Sequence, residues 1–177
     1  RAGGPGMHIR YTTVATPLGQ LLVGVTDRGV CAVYLHESAD TLEEALREEF
    51  CRATIERADG DDLDRAVRAI VTQLEGHSPT IDLPLDVQAT AFQLRVWDAL
   101  RKIPYGETRT YAEVAAAIGS PAAVRAVASA CARNRVAVVI PCHRVVRSDG
   151  ASGGYRWGEE RKRKLLARER DGGSKRM

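Results

Sequence analysis

No apolar run in the 177-residue chain approaches the roughly 20 residues needed to cross a bilayer. That excludes a helical membrane span. The opening residues Arg1-Ala2-Gly3-Gly4-Pro5-Gly6 hold no hydrophobic stretch of the kind a secretory signal needs. Segment 1–7 is therefore expected to be a tag or linker remnant, with a start at Met7, and a cytoplasmic location is expected. Cysteine is scarce too: Cys31, Cys51, Cys131 and Cys142 are too few and too scattered for a disulfide scaffold. No C-x-x-C pair occurs. Cys31, His36 and His77 could begin a zinc site only with a fourth ligand that the spacing does not supply, so no metal is expected.

What is present is a soluble composition, 44% hydrophobic and 28% charged. The modest net charge of +3 conceals an asymmetry. Residues 1–90 carry 8 Lys and Arg against 15 Asp and Glu, whereas residues 91–177 carry 18 against 8. A basic second half suits a polyanionic partner, and it also suits a merely solvated basic surface.

Residues 8–36 read as three antiparallel strands. These are one around Ile9–Thr13, one over Leu21–Val25 and one over Val30–Leu35, with turns at Thr16–Gly19 and Asp27–Gly29. Thr41 to Phe50 reads as an acidic amphipathic helix with Thr41 as N-cap and Glu44 completing a capping box. Asp62 to Leu74 carries a helical apolar stripe, ended by Gly76-His77-Ser78-Pro79, and Ile81–Leu85 reads as extended. This first half holds no catalytic constellation and is expected to support the second.

The second half reads as helical. Thr90 caps a helix through Phe92, Val96, Trp97 and Leu100. Thr110 and Glu113 form a capping box for another that ends at Gly119. Ser120 and Pro121 would then open a third helix through Ala132. Two short helices joined by Gly-Ser-Pro make a helix-turn-helix, though an ordinary antiparallel pair shares the pattern. In the third helix the side chains are nearly all Ala, Val, Ser or Cys apart from Arg125, which leaves a smooth face with one projecting cation. After Asn134, Val136–Ile140 reads as a buried strand leading into Pro141-Cys142-His143-Arg144-Val145-Val146. Cys31, Cys51 and Cys131 are taken as small core residues, Phe92 and Trp97 as core aromatics, and Lys162 and Arg163 as a solvated basic face.

These motifs resemble the O6-alkylguanine-DNA alkyltransferases, or methylated-DNA–protein-cysteine methyltransferases. The resemblance rests on Phe92-Gln93-x-x-Val96-Trp97, Ile103–Thr108, Tyr111, Arg125-Ala126-Val127, Asn134 and Ile140–Val146. It continues through Ser148-Asp149-Gly150, Gly154–Gly158 and Arg161-Lys162-x-x-Leu165-Leu166. It covers about residues 8–170 and is strongest from Thr90 to Glu169. Within the family the chain is most similar to the C-terminal domain of the bacterial adaptive-response protein.

The resemblance implies a two-part fold. An α/β domain over 8–86, ribonuclease H-like with a three-stranded antiparallel sheet, precedes a mainly α helix-turn-helix domain of winged-helix type over 87–170, and a basic tail follows over 171–177. It implies irreversible transfer of an alkyl group from O6-alkylguanine, and from O4-methylthymine, to Cys142, with no cofactor and no obligate protein partner. A cysteine with a pKa of about 8.5 is mostly protonated at neutral pH. His143 is implied to remove the proton through a water, with Glu169 orienting the ring and Asn134 fixing the turn. The target lies inside a duplex and must be rotated out. Tyr111 is implied to press the phosphate, and Arg125 to fill the vacated place, with Ala126 and Ser129 against the minor groove. Val145, Gly154, Tyr155, Arg156 and Trp157 would surround the base, and Arg144, Arg147 and Arg161–Lys164 would meet phosphates.

The zinc positions of some animal relatives have no counterpart here. Without the adaptive-response protein's zinc domain, phosphotriester repair and transcriptional activation are not expected of this sequence. Trp157 is large, which would favour methyl over benzyl groups. A non-enzymatic helix-turn-helix lesion binder and a Cys-His hydrolase are the competing readings. On DNA, a bacterial protein of this kind would lie on the nucleoid.

Overall fold

The computed structural model describes residues 6–77 and 81–174. Residues 1–5 of the expected tag over 1–7, the Ser78-Pro79 helix stop and the tail residues Lys175–Met177 lie outside the described residues. Strands β1 (His8–Thr16), β2 (Gly19–Val25) and β3 (Val30–His36) pair as the expected antiparallel meander. A fourth strand, β4 (Thr54–Arg57), adds to the free edge of β1 in parallel, giving the order β3-β2-β1-β4.

Helix α1 (Ala39–Glu49) begins earlier than expected. Ser38, not Thr41, is its N-cap, and the Ser38 hydroxyl accepts from the Thr41 backbone N–H. Its Leu42 and Leu46, with Phe50, cover one sheet face against Ile9, Tyr11, Leu22 and Tyr34. Helix α2 (Asp61–Leu74) lays Leu63, Ala66, Ile70 and Leu74 on the other face, against Leu21, Val23 and Leu35. The strands are therefore buried on both sides, which explains why β2 and β3 are apolar without alternation.

The core under α2 continues without a break into the second half, through Val96, Trp97, Leu100, Val114, Val127 and Leu165. Helix α3 (Ala91–Arg101) carries the expected Thr90 cap, with Gln93 completing the box. Strand β5 (Arg109–Thr110) leads into α4 (Tyr111–Ala117), whose Thr110–Glu113 capping box also forms as expected. Helix α5 (Val124–Ala132) starts three residues beyond Pro121, because residues 120–123 close a separate turn in which the Ala123 N–H donates to Ser120 O. Trp97 Nε1 donates to Ala130 O at 2.9 Å and locks α3 to α5.

Residues 136–140 are not a strand. Val136 pairs with Val33 as a single parallel bridge, and the chain then coils into a turn with Val138 at φ 71°. That left-handed conformation is strained for a β-branched residue. The apolar run is buried by packing, with Ala137, Val138, Val139 and Ile140 all in the core. A short 3-10 turn, Cys142–Arg144, follows, then β6 (Val145–Val146) beside β5, and finally α6 (Glu159–Ser174).

Candidate active site

The Cys142 thiol lies at the start of the 3-10 turn and is 7% exposed. Asn134 builds its surroundings: Oδ1 accepts from the Val136 N–H at 2.8 Å, and Nδ2 donates to Ile140 O at 2.7 Å. One side chain thus closes the loop that returns to the cysteine. The same Nδ2 lies 3.2 Å from Cys142 Sγ. Burial pushes the thiol above its ordinary value, while the Asn134 hydrogen bond and the charges of Lys162 and Arg156 pull against that shift. A resting thiol of this kind is protonated, so reaction requires a base.

His143 supplies a candidate. It is fully buried, and its Nε2 lies 2.8 Å from Glu169 Oε2. A carboxylate there makes Nε2 the protonated nitrogen and leaves Nδ1 as a lone-pair acceptor. Nδ1 is buried and has no hydrogen-bond partner among the described residues. Burial alone would raise the Glu169 carboxyl, but the charges and hydrogen bonds of His143 and Arg144 outweigh it and hold it at about 2.

Arg144 therefore does not face phosphates. It is buried, donating through Nε and Nη2 to Glu169 and through Nη1 to Ile103 O at 2.8 Å. The guanidinium meets the carboxylate fork through two parallel N–H donors, the bidentate geometry of a strong charge-assisted pair. Arg161 is likewise occupied, by Leu18 O, Trp157 O and Glu37. Arg147 remains at the surface beside Asp149, and Arg163 and Lys164 are exposed.

Lys162 overturns its reading as a solvated cation. It is fully buried, and Nζ donates to Val145 O at 2.6 Å and to Gly154 O at 3.2 Å, with the Tyr111 ring 5.8 Å away. Burial lowers its pKa. Nothing in a run of Glu, Arg and Lys marks this residue locally, although helical spacing puts it one turn before Leu165 and Leu166. Cys51 also departs from expectation, being exposed at the end of α1 rather than in the core.

Tyr111 is half-buried at the head of α4, its hydroxyl pushed up to about 12 by burial first and by Cys131 and Cys142 next. Gly153, at φ 77°, packs against it: a Cβ there would stand 2.9 Å from the Tyr111 hydroxyl. Arg125, Ala126 and Ser129 share an exposed face of α5. The Tyr155 hydroxyl is buried without a hydrogen-bond partner among the described residues. Trp157 packs beside the sheet, its ring 5.0 Å from that of Tyr34. Val145 is buried, with its carbonyl on Lys162. Among the described residues no cluster of three or more His, Cys, Asp or Glu side chains could hold a metal ion.

A constitutive methylated-DNA–protein-cysteine methyltransferase of Bacillus subtilis is 38% identical over 145 residues, covering 82% of this chain and 85% of that protein. The chain belongs to the methylated-DNA–protein-cysteine methyltransferase family. Residues 91–171 match the family model described as 6-O-methylguanine DNA methyltransferase, DNA binding domain. The bifunctional transcriptional activator/DNA repair enzyme Ada of Escherichia coli is 48% identical over 169 residues, 96% of this chain. The chain spans about half the length of that relative (48%). The crystal structure of Mycobacterium tuberculosis OGT in complex with DNA matches with a TM-score of 0.77 and 34% identity, covering 93% of this chain and 94% of that one. Both halves of the architecture are thus those of the family, including the mixed sheet.

Proposed function

We propose that this chain repairs DNA by direct reversal, moving a methyl or larger alkyl group from O6-alkylguanine in a duplex to Cys142. The observation that carries the reading is the buried series Asn134, Cys142, His143 and Glu169. It offers a soft nucleophile, a ring nitrogen free to take its proton, and a carboxylate that orients the ring. The Cys142 S–H proton passes by way of a water to His143 Nδ1. The sulfur then attacks the saturated alkyl carbon, the carbon–oxygen bond breaks, and its electron pair leaves on O6. Proton return to the base gives guanine and a thioether. A thioether is a poor leaving group, so each molecule acts once.

The exposed α5 face supports a role for Arg125, Ala126 and Ser129 in the minor groove, with Arg125 replacing an extruded nucleotide. Tyr111 and Tyr155, whose hydroxyls lie within electrostatic reach of Cys142, are assigned to the base together with Gly154 of the same loop as Tyr155. Arg144 is assigned instead to holding Glu169. O4-methylthymine is a second substrate on this reading, and no cofactor is used. The strand order β3-β2-β1-β4 with its parallel fourth strand supports a ribonuclease H-like first domain over 8–86. The α4–α5 pair beside β5 and β6 supports a winged-helix second domain over 87–170. Bacterial relatives that repair DNA support a cytoplasmic location, on the nucleoid when bound.

The deciding experiment incubates the protein with a duplex bearing one radiolabelled O6-methylguanine. Covalent label on Cys142, never exceeding one per protein, is expected. Multiple turnover would instead indicate a hydrolase, and binding without label a lesion-binding module.

A further inference from the structure

The acidic charge of the first half has no place in alkyl transfer as described. One of its carboxylates nonetheless reaches the second half at two points. Glu49, the last residue of α1, lies 3.1 Å from Arg156 Nη1 and 3.3 Å from Arg135 Nε, and it accepts from the Tyr34 hydroxyl. Arg135 directly follows Asn134, whose amide holds Cys142 Sγ. Arg156 belongs to the loop that also carries Gly154, Tyr155 and Trp157. Its guanidinium stands 4.7 Å over the Tyr34 ring and 4.5 Å over Trp157. One carboxylate thus touches both the segment after Asn134 and the Gly154–Trp157 loop, the latter 107 residues from Glu49 in sequence.

We propose that Glu49 is a positioning residue, which clamps the Gly154–Trp157 loop through Arg156 and so sets where the extruded base is received. The clamp rests on the alkyl-transfer reading for its purpose, but not for its geometry. Glu49 touches neither thiol nor base. Arg135 and Tyr34 hold the carboxylate on one side, and Arg156 meets it from the loop. With the carboxylate neutralised, Arg156 loses its counter-charge and Trp157 loses the cation stacked on it.

The two tryptophans make the loop observable. Trp97 is 3% exposed in the core, so acrylamide quenching of the fluorescence reports mainly Trp157. Glu49→Gln is expected to increase quenching. It is also expected to slow methyl transfer at saturating duplex by about tenfold, the scale of a displaced reacting group, with DNA affinity unchanged. Arg156→Gln should do the same, and the double variant no more. Glu43→Gln, which removes an ion pair to Arg57 on β4, should alter neither readout. Glu49→Gln protein with the parent's quenching overturns the clamp, as does a slower transfer without added quenching. If the parent transfers no methyl group, the repair reading fails, while the quenching comparison still decides whether Glu49 holds the loop.

Discussion

His143 and Glu169, 26 residues apart in sequence, meet in the interior with Nε2 2.8 Å from Oε2. The same carboxylate takes two donors from Arg144. An imidazole and a guanidinium therefore compete for one acid, and the acid stays ionised. The folded pKa of about 2 lies below the ordinary carboxyl value, so the folded state binds this proton less tightly than the unfolded chain does.

Its stabilisation is fully present above about pH 4.5 and is lost as pH falls towards 2, on the order of 3 kcal/mol across that window. Urea unfolding at neutral pH, pH 4 and pH 3 checks this. Glu169→Gln is expected to flatten the pH dependence and to slow transfer by about 10²-fold or more. Equal slopes for parent and variant would count against the assignment.

Lys162 should be chemically silent. Acetylation of the folded protein is expected to modify exposed Lys164 and leave Lys162 untouched, as read by peptide mass spectrometry. Lys162→Met leaves Val145 O and Gly154 O without their donor, a loss of about 1–3 kcal/mol. Early modification of Lys162 at native pH would contradict its burial.

Arg125 tests the DNA face separately from the chemistry. Arg125→Ala removes an exposed side chain, so the stability change should stay within about 0.5 kcal/mol. Transfer from duplex DNA should nonetheless fall by about tenfold or more, since base extrusion costs a few kcal/mol. Duplex binding should weaken steeply with salt in both proteins. Unaltered transfer in the variant would remove Arg125 from the flipping step.

Local signals were the legible ones. The Thr90 cap and the Thr110 capping box form as expected, since each needs only residues three apart, whereas the equally local Thr41–Glu44 box gives way to Ser38 one turn earlier. The cysteine motif and Asn134 were legible through resemblance. Strand β4 carries no signal in the sequence because Thr54-Ile55-Glu56-Arg57 is short and mostly exposed, and only its neighbour β1 makes it a strand. Residues 136–140 look like a strand because burial on all sides and ladder pairing produce the same apolar run. Lys162, Arg144 and Glu49 are charged residues whose partners lie far away in sequence. Composition assigns such residues to solvent, and only tertiary contact reveals otherwise.

On the proposed reading, in which each molecule acts once, the burial of Cys142 has a consequence. Oxidants and stray electrophiles attack exposed thiolates fastest. Cys142 is 7% exposed and burial pushes its thiol up, which shields it from both. The packing that makes the thiol a poor nucleophile at rest thus gives the unused protein its shelf life.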